Sequence, residues 1–225
     1  ELAQKFIAPI SSDEFLSLAN VNKKTLVFAM SQSGETFDTL SALKYSQSKG
    51  AKTAAVVNVM GSSIARMVDK VILQGSGPEI CVISTKAALS QMVVLTLLAM
   101  KLGLKKKVIS KKTYQENLNS LKELPAIIQG ILNERSGFIH RIANKYCKNK
   151  NWLYLGRGIY YPIALEAALK MKEVAYIHAE GMPGGFLKHG TLAMIDDEIS
   201  SIVFVPPKEK KDLYQSTIHS IEEIR

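Results

Sequence analysis

The chain has 225 residues, 47% of them apolar, and a formal net charge of +9. That is apolar material enough for a core in one or two domains, with no run of membrane-spanning length and no charged-then-apolar leader pattern at the start. Cys81 and Cys147 stand far apart without a CxxC or Cys/His cluster, so a reduced, cytoplasmic protein with no metal is expected.

Glu1 to Lys5 reads as the tail of a helix and Phe6 to Ile10 as a short strand, so the chain is expected to open inside a domain. Thr25–Met30 is an apolar, strand-like run that stops at Ser31-Gln32-Ser33-Gly34-Glu35-Thr36. A helical pattern follows over Phe37–Lys49, with Phe37, Leu40, Ala42 and Leu43 near helical spacing, and Gly50 closes it. Strand, hydroxyl-rich turn, helix start: such a junction aims backbone N–H groups and a helix dipole at one point. Ser31, Ser33 and Thr36 add hydroxyls, and Gly34 permits close approach. A phosphate without a nucleotide is the natural guest, because the P-loop spacing with its lysine and GxGxxG are both missing. The plainer alternative is a turn with Ser33 as N-cap.

Thr53–Val59 is the next buried strand, Ser62–Val68 a short helix and Val71–Gln74 a further strand; this alternation predicts a parallel sheet covered by helices. After Gly75-Ser76-Gly77-Pro78, a helix over Thr85–Leu102 is apolar almost all round and stops at Gly103, which places it between layers or between subunits. Ser84 and Thr85 sit at its N-terminus, a second contact for an anion or for sugar hydroxyls. Residues 104–150 read as a basic helical connector, Thr113–Leu124 and Ala126–Lys148, broken at Pro125.

The strand–turn–helix theme then returns: a strand at Asn151–Leu155, the turn Gly156-Arg157-Gly158, and a helix over Tyr161–Tyr176 beginning near Pro162. A loop from His178 to Thr191, a strand at Ile202–Val205 and a helix over Asp212–Arg225 complete the chain. The second half reads as a repeat of the first that ends before its sheet is finished. The expected division is residues 1–110, a connector at 111–145, and residues 146–225.

The helix after Pro162 carries the chemistry. Glu166, Lys170 and Glu173 fall at i, i+4 and i+7, one narrow stripe at about 100° per residue, while Lys172 points away. A salt-bridged solvent face is the ordinary explanation. A polar stripe on a helix otherwise rich in Ala and Leu fits a lined cavity better, where a carboxylate moves protons and a lysine holds it or a substrate oxygen. His189, beside Lys188 and Pro183-Gly184-Gly185, is the better candidate for an acid/base than His178, which reads as structural.

Lysines cluster at 105–107, 111–112, 145–150 and 208–211. No aromatics or reading helix are interleaved with them, so nucleic acid is not an expected partner, and without a spanning run neither is a membrane; the mild positive field suits an anionic substrate.

Taken together, SQSGETFDTL (31–40), STKAALSQ (84–91), LGRGIYYPIALEAALKMKEVAYIHAEG (155–181) and LKHGTLAMID (187–196) resemble the isomerase portion of the glutamine–fructose-6-phosphate aminotransferase (glucosamine-6-phosphate synthase) family, which is two sugar-isomerase (SIS) domains. The resemblance implies an α/β fold of two such domains, each a mostly parallel sheet in three α/β/α layers, here incomplete at both ends. It implies that Ser31, Gln32, Ser33 and Thr36 hold the sugar phosphate, and that Val82 and Ser84 line the sugar site. It also implies that Glu173 moves a proton between C1 and C2, that Lys170 assists at the substrate oxygens beside Glu166, and that His189 opens the sugar ring. In this family that histidine reaches a neighbouring subunit's site, which implies a homodimer.

The substrate class implied is fructose 6-phosphate or glucose 6-phosphate, with no cofactor. The family's glutaminase domain, expected in the full-length protein, lies outside this chain, as do an early Gly-Thr-Ser loop and a C-terminal lysine. Phe186 and Cys81 depart from the family's usual Glu and Gly. Two other readings share these motifs in part: a stand-alone SIS isomerase or deaminase, and a non-catalytic module that senses a sugar phosphate.

Overall fold

Apolar strands alternating with helices fold here into two three-stranded parallel sheets, seen in a computed structural model that describes residues 2–225. The chain divides into two compact units, Glu1–Gln129 and Gly130–Arg225.

In the first unit a short helix α1 (Phe15–Leu18) precedes β1 (Leu26–Ser31), α2 (Phe37–Ser48), β2 (Lys52–Val57), α3 (Ser63–Met67) and β3 (Lys70–Leu73). β2 lies between β1 and β3, with Ala54 opposite Phe28 on one side and Lys70 on the other. A strand buried on both faces needs a continuous apolar run, and Thr53–Val57 is buried throughout. Leu43 of α2 and Ile64 of α3 pack with Ala29, Ala55 and Val57 into the core. Thr53, the polar member of that run, is satisfied by Asp69, whose carboxylate accepts from the Thr53 amide at 2.8 Å and its hydroxyl at 3.0 Å.

Helix α4 (Thr85–Lys105) follows, and α5 (Lys111–Tyr146) runs on as a single 36-residue helix. In the second unit β4 (Asn151–Gly156) is central, flanked by β5 (His178–Pro183) and β6 (Ile199–Val203), both parallel to it. Helix α6 (Tyr160–Ala175) links β4 to β5, and α7 (Lys211–Glu223) is the last helix. Ala164 and Ala168 are the buried contacts of α6, packed with Trp152, Tyr154 and Ala179. Small residues bring this helix close: a Cβ on Gly181 would overlap the backbone of Leu165 and Ala164.

Several expectations need correction. Glu1 lies outside the described residues; residues 2–3 form a turn rather than the end of a helix, and Phe6–Ile10 is not a strand. Phe6 and Ile7 are exposed there, and a strand needs a partner's backbone groups that this segment does not meet. Pro125 does not break α5. It sits on an exposed part of the helix, where water can take the carbonyl that its missing N–H leaves behind. Gly103 does not stop α4, which runs to Lys105; the glycine is needed because a Cβ would overlap the Leu2 carbonyl.

The expected loop from His178 begins as strand β5, and the last strand lies at 199–203 rather than 202–205. Nothing in His-Ala-Glu-Gly-Met-Pro favours a strand locally; pairing with β4 and packing under α6 impose it. Helix α4 also has the length and apolarity to cross a membrane, with a mean hydropathy of 1.7, contrary to the expectation of no such run. Within the chain only Ala87, Met100 and Gly103 of α4 are buried, so it is not enclosed between layers.

Candidate functional site

The first candidate site is the turn between β1 and α2. Strand β1 ends on Ser31, which is buried, and Gly34 turns the chain with φ +67°. That residue must be glycine on two counts, since a Cβ would also overlap the Ser62 side chain. Ser31 Oγ accepts from the Gly34 amide at 3.1 Å and lies 2.9 Å from Thr36 Oγ1; Ser33 Oγ accepts from the Glu35 amide at 3.2 Å. The Gln32 carbonyl accepts from the Asn58 amide at 3.0 Å. Ser31, Gln32, Ser33 and Thr36 therefore share one turn.

Thr36, not Ser33, occupies the N-cap of α2, and it gives no side-chain cap. The first turn of this 12-residue helix therefore has no side-chain cap, and its N-terminal dipole end lies beside the hydroxyls of the turn. Glu35, which the sequence reading did not single out, locks the turn from the other side. Its Oε1 accepts from the Ser63 amide at 2.7 Å, and the hydrogen bonds from Ser63 hold its carboxyl below the usual range.

Val82 and Ser84 lie in the segment before α4. Ser84 is the N-cap residue in the left-handed region, φ 51°, and its side chain makes no cap bond. Val82 is 85% exposed, so no wall of a sugar site forms around it within its unit. Gln74 ties this region down, its Nε2 donating to the Ala87 carbonyl at 2.9 Å and to Ser90 Oγ at 2.5 Å.

The stripe on α6 forms as its spacing predicts. Lys170 Nζ sits 2.7 Å from Glu173 Oε2 and 3.3 Å from Glu166 Oε1. All three side chains are half-buried, while Lys172 is exposed. Burial is the largest single influence on Lys170 and pulls its pKa down. The hydrogen bond to Glu173 and the charge of Glu166 together outweigh it, so the amine is held above its ordinary value and stays charged. A cation between two carboxylates is an arrangement that can pass a proton and steady a developing oxyanion. The rest of α6 is less enclosed than expected: Leu165, Leu169 and Val174 are exposed.

His189 ends a 3-10 segment, Gly184–His189, that follows β5. Its exposed ring packs against Phe186, centroids 5.5 Å apart and planes tilted by 53°. His178 is exposed at the start of β5. Sequence reasoning missed the residues that contact the segment leading to His189: Arg157 and Ser220 at Gly184 and Glu223 at Lys188. One signal was present. Leu213, Thr217, Ser220 and Ile224 recur at i, i+4, i+7 and i+11, and Thr217 and Ser220 are buried, so a hydroxyl sits where an apolar residue would be expected.

Among known proteins, the SIS domain profile matches residues 3–101 and 145–220. The chain is 45% identical over 224 residues to the glutamine–fructose-6-phosphate aminotransferase (isomerizing) of Methanococcus maripaludis, covering 98% of this chain and 36% of that one. It is 40% identical over 205 residues to a protein of that name from Thermus thermophilus, covering 91% and 33%. The chain thus spans about a third of the length of these curated relatives. Among solved structures, the C-terminal domain of glucosamine-fructose-6-phosphate aminotransferase from Francisella tularensis superposes with a TM-score of 0.86 at 35% identity, over 95% of this chain and 59% of that one.

Proposed function

The chain belongs to the SIS domain family, and from that membership we propose that it is the isomerase part of a glucosamine-6-phosphate synthase, acting on fructose 6-phosphate. The observation that carries the reading is the Lys170 bridge between Glu166 and Glu173 on α6. A module that only senses a sugar phosphate needs an anion-binding turn but no carboxylate–lysine stripe.

In this reading the turn 31–36 takes the phosphate through the Ser31, Ser33 and Thr36 hydroxyls, the Gln32 side chain and the amides at the start of α2. Val82 and Ser84 flank the sugar. His189 takes the proton from the anomeric O2 hydroxyl and delivers one to the ring oxygen, so the C2–O5 bond breaks and the ketone forms. Ammonia, from a glutaminase segment of the longer protein, condenses at C2 with loss of water. Glu173 then removes a proton from C1 and returns it at C2, while the O1 hydroxyl proton passes to the imine nitrogen, which gives the 2-amino aldose. Lys170, kept charged by its two carboxylates, steadies the substrate oxygens. These steps are proton transfers between oxygen, nitrogen and carbon, within the range of a carboxylate and an imidazole. The division into residues 1–110, 111–145 and 146–225 belongs to the same reading, as does a cytoplasmic homodimer of the 24.8 kDa chain. Exposed Leu89, Met92 and Leu95 on α4 and Ile131, Phe138 and Ile142 on α5 support the dimer.

The test is proton NMR in D2O with fructose 6-phosphate, with and without ammonium. Ammonium-dependent glucosamine 6-phosphate supports the synthase. Glucose 6-phosphate or exchange at C1 without amine incorporation selects a stand-alone isomerase, and saturable binding without turnover selects a sensor.

A further inference from the structure

His189 is exposed and touches Phe186, so its own contacts do little to fix its place. The segment that leads to it is held more firmly. Leu187 is fully buried and packs with Leu153, Leu155 and Met182, backed by Ile224 from the end of α7. Ser220 of α7 is also buried. Its Oγ accepts from Arg157 Nη2 at 2.8 Å, and its hydrogen lies between the carbonyls of Gly184 and Ser216, each at 3.2 Å. The Arg157 guanidinium runs under the same segment so closely that a Cβ on Gly185 would stand 3.2 Å from its Nη1. At the other end, Lys188 Nζ pairs with Glu223 Oε1 at 2.6 Å, and His219 Nε2 approaches the same oxygen at 2.8 Å. Glu223 is largely buried at 15% exposure, and the hydrogen bond from Lys188 holds its carboxyl below its ordinary range.

We propose that α7 is a clamp on the segment Gly184–His189, fastened at Gly184 by Ser220 with Arg157 and at Lys188 by Glu223, and that these are positioning residues for the step performed by His189. The spacing makes the argument. Gly184 and Lys188 are held from below, Leu187 is anchored in the core, and the next residue is the histidine. With Gly184, Leu187 and Lys188 each held, His189 has one backbone position from which to present its ring. Displacing a catalytic group by about 1 Å can cost roughly 100-fold in rate, so a loosened clamp should be felt at the reaction and not only in stability. The inference rests on the proposed role of His189 in ring opening.

Two readouts separate the clamp from that role. The first is the imidazole NMR spectrum of the folded protein, with His140 and His178 as internal controls. Ser220→Ala and Glu223→Gln are expected to shift or broaden the His189 signals and leave both controls in place. Unmoved His189 signals in both variants overturn the clamp, whatever the enzymology. The second readout compares turnover of fructose 6-phosphate with that of 5-deoxyfructose 6-phosphate, which lacks the hydroxyl needed to close the furanose ring. Each clamp variant is expected to lose about tenfold in kcat on the cyclic substrate and to keep its rate on the open one. Ser220→Thr and Glu223→Asp are expected to restore part of the loss. Equal losses on both substrates overturn the positioning role and leave α7 a stabilising helix. Should His189→Asn itself treat the two substrates alike, the ring-opening assignment falls, while the imidazole spectra still decide whether α7 holds the segment.

Discussion

The chain builds the same strand–turn–helix junction twice and uses it in two ways. Between β1 and α2 lie five residues, Gln32 to Thr36, whose Ser33 and Thr36 hydroxyls join that of Ser31 at the strand end beside an uncapped helix start. Between β4 and α6 it is a tight Gly156-Arg157-Gly158-Ile159 turn, in which a Cβ on Gly156 would overlap the Tyr160 carbonyl. Arg157, the one strong anion-binding side chain there, is already engaged by Ser220. The first junction leaves its helix start without a side-chain cap beside a cluster of hydroxyls; the second ties its arginine to Ser220, and in the proposed reading its chemistry lies instead on the face of α6. Repetition of a fold element therefore does not carry repetition of its use.

The contrast can be broken most sharply at Glu173. Glu173→Gln is expected to lower kcat by about 10²- to 10⁴-fold, with substrate affinity nearly kept. Comparable turnover in the variant would remove the carboxylate from its role. At the turn the opposite pattern is expected. Ser31→Ala removes a hydroxyl that also accepts from the Gly34 amide, so KM for the sugar phosphate should rise about tenfold, in line with a charge-assisted hydrogen bond of about 1.5–3 kcal/mol, with kcat changed far less. A fall in kcat at constant KM would place Ser31 in the chemistry and blur the distinction.

The smallest expected effect is on stability against pH. Because the folded pKa of Lys170 is raised, its contribution is complete below the ordinary lysine value of about 10.4 and fades only as pH climbs through the higher folded value. The melting temperatures of wild type and Lys170→Met should differ by a constant amount from neutral pH to pH ~9, and converge only above that lysine value. Convergence at lower pH would mean the amine is not held charged by its carboxylates.

Much of this was legible in the sequence, where local pattern and tertiary demand agree. The turn after β1 is flanked by a buried strand and a periodic helix, and the three charges on α6 stand at helical spacing whatever else the chain does. Legibility failed where distant contacts decided the matter. His178–Pro183 has no strand-like pattern and is a strand because β4 lies beside it. Pro125 is tolerated because its part of α5 meets water. The enclosure expected for α4 and α6 followed from composition, yet the chain alone does not provide it. The Arg157–Ser220–Gly184 contacts join residues dozens of positions apart, and only the buried serine on α7 hinted at them.

The most direct test of the contrast between the two junctions is a backbone amide NMR titration with glucose 6-phosphate. The account expects saturable shifts at Ser31, Ser33, Gly34 and Thr36, and none at Gly156, Arg157 and Gly158. Shifts centred on the second junction, or of equal size at both, would contradict it.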